Sequence, residues 1–306
     1  LNFGLFFFND FKKLNLFNLE GNFFNIPYDF YLNKNFYSPA TKEINFKAKK
    51  LKLNINDKSI KTSDGLVAGE NTISSFGSQI HTKYNVDKKL IFFELDSSKE
   101  KNSNKDYRGN LSFEPFELNL KIFLKRYDLF KLIDFNSIIS ELFKSKLLFN
   151  ENLSTNISVD IANNKNREIF SSSSIHLNIE NGKINFNKTK LTNDKIGFLK
   201  IDKSNLFFQD KNLILNSKII IDIKNSKNLF SFLQTPKKFR KPINQILVNF
   251  DYNFLTKQLN INNIKIDGNK SNNEMLDIMN EISNIEKYNL NITKRIFNKF
   301  LSAYAG

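Results

Sequence analysis

The residue types that carry enzyme chemistry are few in this chain and are widely spaced. Its two histidines, His81 and His176, lie in strand-like contexts without HxH or HxxxH spacing, which favours solvent-side strand residues over metal ligands. The absence of cysteine excludes disulfides, thiolate metal sites and a cysteine nucleophile. Phosphate-binding and nucleophile-elbow motifs are absent, and the carboxylates are dispersed among lysines without a pair that suggests an acid and a base. We therefore expect no enzyme activity, cofactor or metal.

One basic cluster could contact an anion. Lys237, Lys238, Arg240 and Lys241 surround Phe239 in a chain of net charge +15. The cluster is either a solvated helix exit, where cations favour the helix C-terminus, or a contact for an anionic lipid headgroup or membrane. Basic residues elsewhere occur singly on polar strand faces, so we do not expect nucleic-acid binding.

The composition predicts a folded chain with a large apolar content. Hydrophobic residues make up 40% of the sequence, with 33 Phe and no Trp. The chain begins at Leu1 rather than Met, and we interpret it as a fragment or a processed product. The most apolar run, Leu1–Phe8, is too short to span a bilayer as a helix.

The main structural signal is alternation of apolar and polar residues, which is typical of half-buried strands. It is clear in the segments KLKLNIN (50–56), ELNLKI (117–122), IHLNIENGKINF (175–186), LILNSKIIIDI (213–223), ILVNFDYNF (246–254) and LNINNIKI (259–266). Asn181-Gly182 predicts a tight hairpin turn, and the slip in parity at Asn262-Asn263 predicts a β-bulge.

Three segments follow helical spacing instead. We predict one helix or two short ones over 126–149, a short helix over 226–233 stopped by Pro236, and amphipathic helices in the tail. The predicted organisation is a continuous β region over 1–268, with helical insertions near 126–149 and 226–235, followed by C-terminal amphipathic helices over 269–306. Amphipathic helices of this kind mostly pack on their own protein's core; a membrane or a protein partner remains open. The polar stretch 96–106 predicts a mobile loop.

The number of apolar strand faces poses a packing problem. We expect on the order of fifteen strands, and the few helices cannot cover so much sheet. The sheet could fold into a sandwich, close into a barrel, or form a trough filled by something other than protein. A membrane barrel is disfavoured because Phe and Tyr are scattered through the strands rather than gathered in girdles.

Several stretches carry a resemblance to a known family. They are FEPFELNLKI…NSIISELFKSKLLFNENLSTNISV (113–159), IENGKINFNKTKL (179–191), SKIIIDIKNSKNLFSFLQTPKKFRKPI (217–243), NIKIDG (263–268) and RIFNKFLSAYAG (295–306). In these stretches the chain resembles the C-terminal region of the AsmA-like family. The similarity is to the branch of bridge-like lipid transfer proteins of the Gram-negative envelope that includes YhdP and TamB.

The resemblance implies a mainly β fold, an elongated and strongly curved antiparallel β-sheet groove with a few short amphipathic helices. It implies a periplasmic location, with an inner-membrane anchor in an N-terminal segment absent from this chain. Its implied role is binding or conducting phospholipid acyl chains between the inner and outer membranes, in support of outer-membrane assembly. The family provides no catalytic residues.

Strand parity then assigns candidate residues to the groove lining, and ordinary core packing is the alternative for each of them. The predicted lining residues are Leu118, Leu120, Ile122, Ile175, Leu177, Ile179, Ile184, Phe186, Leu213, Leu215, Ile219, Ile221, Ile223, Ile246, Val248 and Phe250. The headgroup or membrane candidates are Lys237, Lys238, Arg240 and Lys241. The competing hypothesis is a self-packed β-sandwich scaffold of the envelope, whose C-terminal helices recruit a protein partner.

Overall fold

The fold was analysed in a computed structural model of the chain. It describes residues 2–11, 14–23, 25–36, 40–62, 65–75, 78–99, 104–129, 143, 146–165, 169–209, 212–283, 285 and 290–306. Most of the predicted helical segment 126–149, and the predicted break near residue 289, lie outside these residues.

The predicted mainly β fold is confirmed. Strands account for 59% of the described residues and helices for 17%, and one large antiparallel sheet contains 19 strands. The strands are β1 (Phe3–Asn9), β2 (Leu14–Phe23), β3 (Ile26–Asn35), β4 (Thr41–Ala48), β5 (Leu53–Lys61), β6 (Val67–Ser75), β7 (Ser78–Asp87), β8 (Leu90–Leu95), β9 (Lys105–Phe113), β10 (Phe116–Leu124), β11 (Ser154–Ile161), β12 (Ser172–Glu180), β13 (Lys183–Asn185), β14 (Lys190–Asn193), β15 (Gly197–Gln209), β16 (Asn212–Ile223), β17 (Gln245–Asn253), β18 (Leu259–Ile266) and β19 (Asn269–Lys270).

Three α-helices lie in the described part of the chain. They are α1 (Ser226–Leu233), α2 (Asn273–Ser283) and α3 (Leu290–Ala305). Single 3₁₀ turns occur at Lys49–Leu51, Leu147–Phe149 and Lys237–Phe239. The predicted C-terminal helices are therefore confirmed, and they begin at Asn273, after the short strand β19.

The chain divides into two compact units. The first contains β1–β10 and described parts of 130–157 and 179–182, and the second contains 126–129, 158–178 and 183–306.

In the first unit each strand from β1 to β10 pairs antiparallel with the next one along the chain. This meander follows from short polar connections between alternating segments, because such connections bring sequential strands together. In an unbroken register, residues directly opposite one another share a face, so alternation in every strand places the apolar residues together.

The second unit is built around a meander of long strands from β15 to β18. β15 pairs with β16, β16 with β17 and β17 with β18, all antiparallel. Asn249 lies opposite Asn263 and Phe250 opposite Ile261, so Asn262 is an extra residue. The bulge predicted at Asn262-Asn263 is thus confirmed. The predicted turn at Asn181-Gly182 is also present, with φ of 49° and 69° as a type I′ turn requires.

Helix α1 has local signals for both of its ends. The Asn225 side chain accepts a hydrogen bond from the Asn228 backbone N–H at 3.0 Å, which caps the N-terminus. Gln234 adopts the left-handed conformation and closes the last turn on the Phe230 and Ser231 carbonyls. The helix therefore ends at Leu233, three residues before Pro236, and Gln234 rather than Pro236 terminates it.

All three helices pack on one face of the second unit's sheet. Their buried side chains Leu229, Phe230, Leu233, Met275, Met279, Ile282, Phe300, Leu301 and Ala303 form one core with Ile223, Ile243, Ile246, Val248, Ile264 and Ile266. The Asn298 side chain connects α3 to the end of α1, because it donates to the Leu233 carbonyl at 2.6 Å and accepts from Thr235 Oγ1 at 2.6 Å. This apolar face is covered by the protein's own helices.

The polar stretch after β8 begins with an ordered carboxylate. Asp96 is 1% exposed, and it accepts hydrogen bonds from the Ser98 backbone N–H and hydroxyl. Lys83 Nζ lies 2.8 Å from Asp96 Oδ1. The hydrogen bonds from Lys83 and Ser98 lower the pKa of Asp96 to about 2. Within the predicted loop 96–106, residues 100–103 lie outside the described residues.

Candidate functional site

The candidate site is one face of the ten-stranded sheet in the first unit, which we call the apolar face. It carries Leu118, Leu120 and Ile122, which lie opposite Leu111, Gly109 and Tyr107 of the neighbouring strand. The same register extends this face to β1, where Phe6 lies opposite Phe17, and Phe17 opposite Leu32. Its apolar residues include Phe6, Phe8, Phe17, Leu19, Phe30, Leu32, Ile44, Phe46, Leu53, Ile55, Val67, Ile73, Ile80, Val86, Ile91, Phe93, Leu95, Leu111, Phe113, Leu118, Leu120 and Ile122.

Most side chains on the apolar face remain partly exposed. Among the described residues of β1–β10 and the Lys49–Leu51 turn, four apolar side chains are buried: Ile26, Ala48, Leu51 and Tyr84. Leu118, Leu120 and Ile122 are half-buried, while Phe6 is 64% exposed and Phe113 is 57% exposed. An exposed apolar surface of this extent marks an interaction or ligand-binding site.

Three aromatic rings lie flat on glycines of the neighbouring strand within the apolar face. The opposing pairs are Gly21 with Tyr28, Gly69 with Tyr84, and Gly109 with Phe93. A Cβ at Gly69 would lie 2.3 Å from the Tyr84 ring, and one at Gly109 would lie 2.5 Å from the Phe93 ring. The missing glycine side chains thus let the rings lie against the sheet instead of projecting from it.

A polar patch interrupts the apolar face across three central strands. Asp57 lies opposite Asn71, and Asn71 lies opposite Thr82. Tyr84 donates a hydrogen bond to Asp57 Oδ2 at 2.9 Å, and Tyr107 donates one to the His81 carbonyl at 2.9 Å. Because burial disfavours its charged form, the pKa of Asp57 is raised, although the Tyr84 hydrogen bond and the charge of Lys42 act in the opposite direction.

The opposite face of the same sheet is mostly polar. It carries residues such as Glu43, Asn45, Asn56, Lys58 and His81. His81 Nδ1 lies 3.0 Å from Thr72 Oγ1, a contact between neighbouring strands, and Lys58 pairs with Glu43 at 3.1 Å. His81 thus lies in a strand on the polar face of the sheet, as predicted for a solvent-side histidine. No group of three or more acidic or histidine side chains in the described residues could hold a metal ion.

The predicted lining residues of the second unit have a different environment. Ile223, Ile246 and Val248 belong to the helix-covered core, and Ile219, Ile221 and Phe250 pack against it. Protein side chains thus occupy the space beside these six residues. Of the remaining predicted residues, Ile179, Ile184 and Leu213 are buried, whereas Ile175, Leu177, Phe186 and Leu215 are half-buried.

The basic cluster lies on the 3₁₀ turn after α1 and on the residues that follow it. Lys237, Lys238, Arg240 and Lys241 are exposed. Arg240 Nε donates to the Thr235 carbonyl at 2.8 Å, and Lys241 Nζ lies 4.5 Å from the centre of the Tyr304 ring. The cations are thus held on the second unit's surface beside α3, with no carboxylate within the segment 226–243.

Sequence reasoning missed most of the candidate site. The alternation in β1–β9 was available, but among the ten strands of the candidate site the lining prediction used only β10. The polar patch also had a signal in the sequence. Asp57 and Ser59 occupy the next two alternate positions of β5 after Leu53 and Ile55, where apolar residues would be expected. The glycine–aromatic pairs had no local signal, because each depends on the register between two strands.

No helix in the described part of the chain combines the length and the apolar character needed to span a bilayer. Comparison of the chain with protein-family models, with curated proteins and with solved structures finds no match.

Proposed function

We propose that the protein binds the acyl chains of phospholipids on the apolar face of its first unit, as part of phospholipid movement between the inner and outer membranes. The proposed location is the periplasm, anchored to the inner membrane, and the proposed outcome is support of outer-membrane assembly. The protein acts in this proposal as a binding surface and not as an enzyme.

The observation that carries the proposal is an apolar face that extends over ten strands, is interrupted by the polar patch around Asp57, and has side chains that remain partly exposed. A sheet face with this pattern must be covered by apolar material to be stable in water. Each acyl methylene group removed from water contributes up to about 0.8 kcal/mol. An acyl chain lying across the strands is therefore a suitable occupant, and its polar headgroup can stay at the margin of the sheet.

The half-buried packing of the face also suits a mobile ligand. The rings against Gly21, Gly69 and Gly109 present apolar surface along which an acyl chain can move. The polar patch around Asp57 is the one described interruption of apolar character in the centre of this face.

The alternative is a scaffold without lipid, in which the helices bind an envelope protein. The second unit favours this alternative for its own part, because its three helices fill the apolar face of β16–β18. We therefore assign lipid binding to the first unit and leave partner recruitment as the candidate role of the second.

The test compares lipid binding by two pairs of substitutions in one strand. Leu120→Asn with Ile122→Asn changes the apolar face, whereas Lys121→Asn with Phe123→Asn changes the opposite face of β10. We expect the first pair to weaken binding of a fluorescent fatty acid about tenfold or more, because two large apolar contacts are lost. The second pair should bind as the unmodified protein does.

Circular dichroism and thermal melting should show both double variants folded. Recovery of phospholipid from the purified protein by solvent extraction and mass spectrometry gives an independent readout. An unmodified protein that carries no phospholipid and binds no fatty acid would contradict lipid binding and favour the scaffold.

A further inference from the structure

We propose that a cleft at the β4–β5 hairpin binds the phosphate group of an amphiphile whose acyl chain lies on the apolar face. This basic cleft is lined by Lys47, Lys49, Lys52, Leu53, Asn54, Ser74 and Ser75 and has a volume of about 490 Å³. The inference rests on the proposed function and names its ligand class: phosphate-bearing lipids rather than neutral ones.

The strand register places an apolar row and a polar row together at this end of the sheet. On the apolar face, Ala48 lies opposite Leu53, and Leu53 lies opposite Ser75. On the other face, Lys47 lies opposite Asn54, and Asn54 lies opposite Ser74. The cleft therefore lies at this end of the sheet and takes lining residues from both faces. A headgroup held there can belong to a lipid whose chain passes over the end of the sheet onto the apolar face.

The charge of the cleft suits an anion. Three of its seven lining residues are lysines and none is acidic. The described ion pair here joins Lys49 to Asp29 at 3.6 Å, with the Lys49 side chain 80% exposed. Such an exposed pair is weak, so Lys49 can exchange its partner for a phosphate oxygen at little cost. A phosphate carries acceptor oxygens for ammonium groups, and lysine binds it as a point charge.

Two polar atoms at the cleft have no hydrogen-bond partner among the described residues. They are Ser75 Oγ and Asn54 Oδ1, and both are shielded from solvent. Buried polar atoms are normally satisfied, and an exception calls for a ligand, a water or an ion. A phosphate could accept a hydrogen bond from the Ser75 hydroxyl, while glycerol or amine groups of a headgroup could donate to Asn54 Oδ1.

An apolar row leads from the cleft onto the sheet, and at its start Leu53 and Phe46 pack against a small core around Leu51. Leu53 lines the cleft and lies two residues from Ile55, which faces Phe46 on one side and Ile73 on the other. A ligand that carries both a phosphate and an acyl chain can thus satisfy the lysines and cover the apolar face at once. Inorganic phosphate could use only the first of these contacts.

The experiment measures binding of two lipids that differ only in the phosphate, namely oleoyl lysophosphatidic acid and monooleoylglycerol. The test variant is Lys47→Gln with Lys49→Gln and Lys52→Gln. The control variant is Lys58→Gln with Lys88→Gln and Lys121→Gln, which removes the same charge elsewhere in the first unit and off the apolar face. The control is matched, because Lys58 is ion-paired as Lys49 is, and Lys88 has positive φ as Lys52 does.

We expect the unmodified protein and the control to bind the phosphate-bearing lipid about tenfold more tightly than the neutral one. The test variant should lose this preference and still bind monooleoylglycerol. Equal binding of the two lipids by the unmodified protein, or a preference that survives in the test variant, would overturn the basic cleft and leave acyl-chain binding intact. Failure of both lipids to bind the unmodified protein would instead overturn the proposed function.

A binding measurement with inorganic phosphate distinguishes a lipid headgroup from a free phosphate ion as the ligand of the cleft. It should bind more weakly than the lysophospholipid and compete only at high concentration, because it makes no contact with the apolar face. Inorganic phosphate that binds as tightly as the lysophospholipid would overturn the assignment to a lipid.

Discussion

At the scale of single residues, Asp57 is the least expected group in the molecule. It is a carboxylate on an otherwise apolar sheet face, held by one hydrogen bond from Tyr84 at 2.9 Å. Desolvation raises its pKa, so the folded state holds the proton more tightly than the unfolded chain does. The charged form therefore opposes folding.

We predict that Asp57→Asn stabilises the protein at neutral pH. A carboxyl with a raised folded-state pKa costs stability as the pH rises above its unfolded value of about 3.9. The asparagine Oδ1 can still accept the Tyr84 hydrogen bond but carries no charge. The gain at pH 7 should be about 0.5 kcal/mol, a small value because the carboxyl is only partly buried.

Urea unfolding across pH measures this effect. The stability difference between the variant and the unmodified protein should shrink as the pH falls below about 4, where both side chains are neutral. A variant that is less stable at pH 7 would show that the ionised carboxylate stabilises the sheet, contrary to this account.

At the scale of elements, the two units use the same kind of apolar strand face differently. In the second unit α1, α2 and α3 cover the face formed by β16, β17 and β18, and Val248 is 7% exposed beneath them. In the first unit the described residues leave the corresponding face partly exposed. The difference explains why strand parity alone identifies an apolar face but not its occupant.

We predict that Val248→Asp strongly destabilises the second unit, whereas Leu247→Asp has a small effect. Val248 lies in the helix-covered core, while its neighbour Leu247 is half-buried on the opposite face of β17. An unpaired carboxylate in a core costs several kcal/mol, roughly 3 or more. Chemical denaturation followed by circular dichroism measures both variants. A Val248→Asp protein with unchanged stability would mean that this face is open to solvent and not a packed core.

At the scale of the whole molecule, the net charge of +15 suggests attraction to anionic surfaces. The lysines are distributed over both units, and the cluster at Lys237–Lys241 is one exposed concentration among them. Electrostatic attraction depends on salt, whereas burial of an acyl chain does not weaken as salt is added.

We therefore predict that salt weakens vesicle association but does not weaken binding of a neutral lipid. Association with vesicles that contain phosphatidylglycerol should fall as salt rises from about 0.1 M to about 1 M, since the Debye length shrinks from about 10 Å to about 3 Å. Binding of monooleoylglycerol should stay constant or strengthen over the same range. Sedimentation with vesicles and fluorescence titration measure the two activities. Vesicle association that is insensitive to salt would contradict an electrostatic contact.

Local patterns in the sequence were enough to predict the β class, the three described helices, the hairpin at Asn181-Gly182 and the bulge at Asn262. These features depend on periodicity and on turn residues within a few positions, so they can be predicted before any long-range contact is known.

Which apolar face is covered could not be predicted from local patterns, because it depends on contacts between residues far apart in the sequence. Ile221 and Leu120 have the same alternating context in sequence, yet helix side chains pack beside Ile221 while Leu120 remains on a partly exposed face. The same holds for the basic cleft, where Lys47, Asn54 and Ser74 meet only through the register of three strands. Coverage and register arise from contacts between distant residues, and alternation along one strand is identical whether protein or lipid fills the space above it.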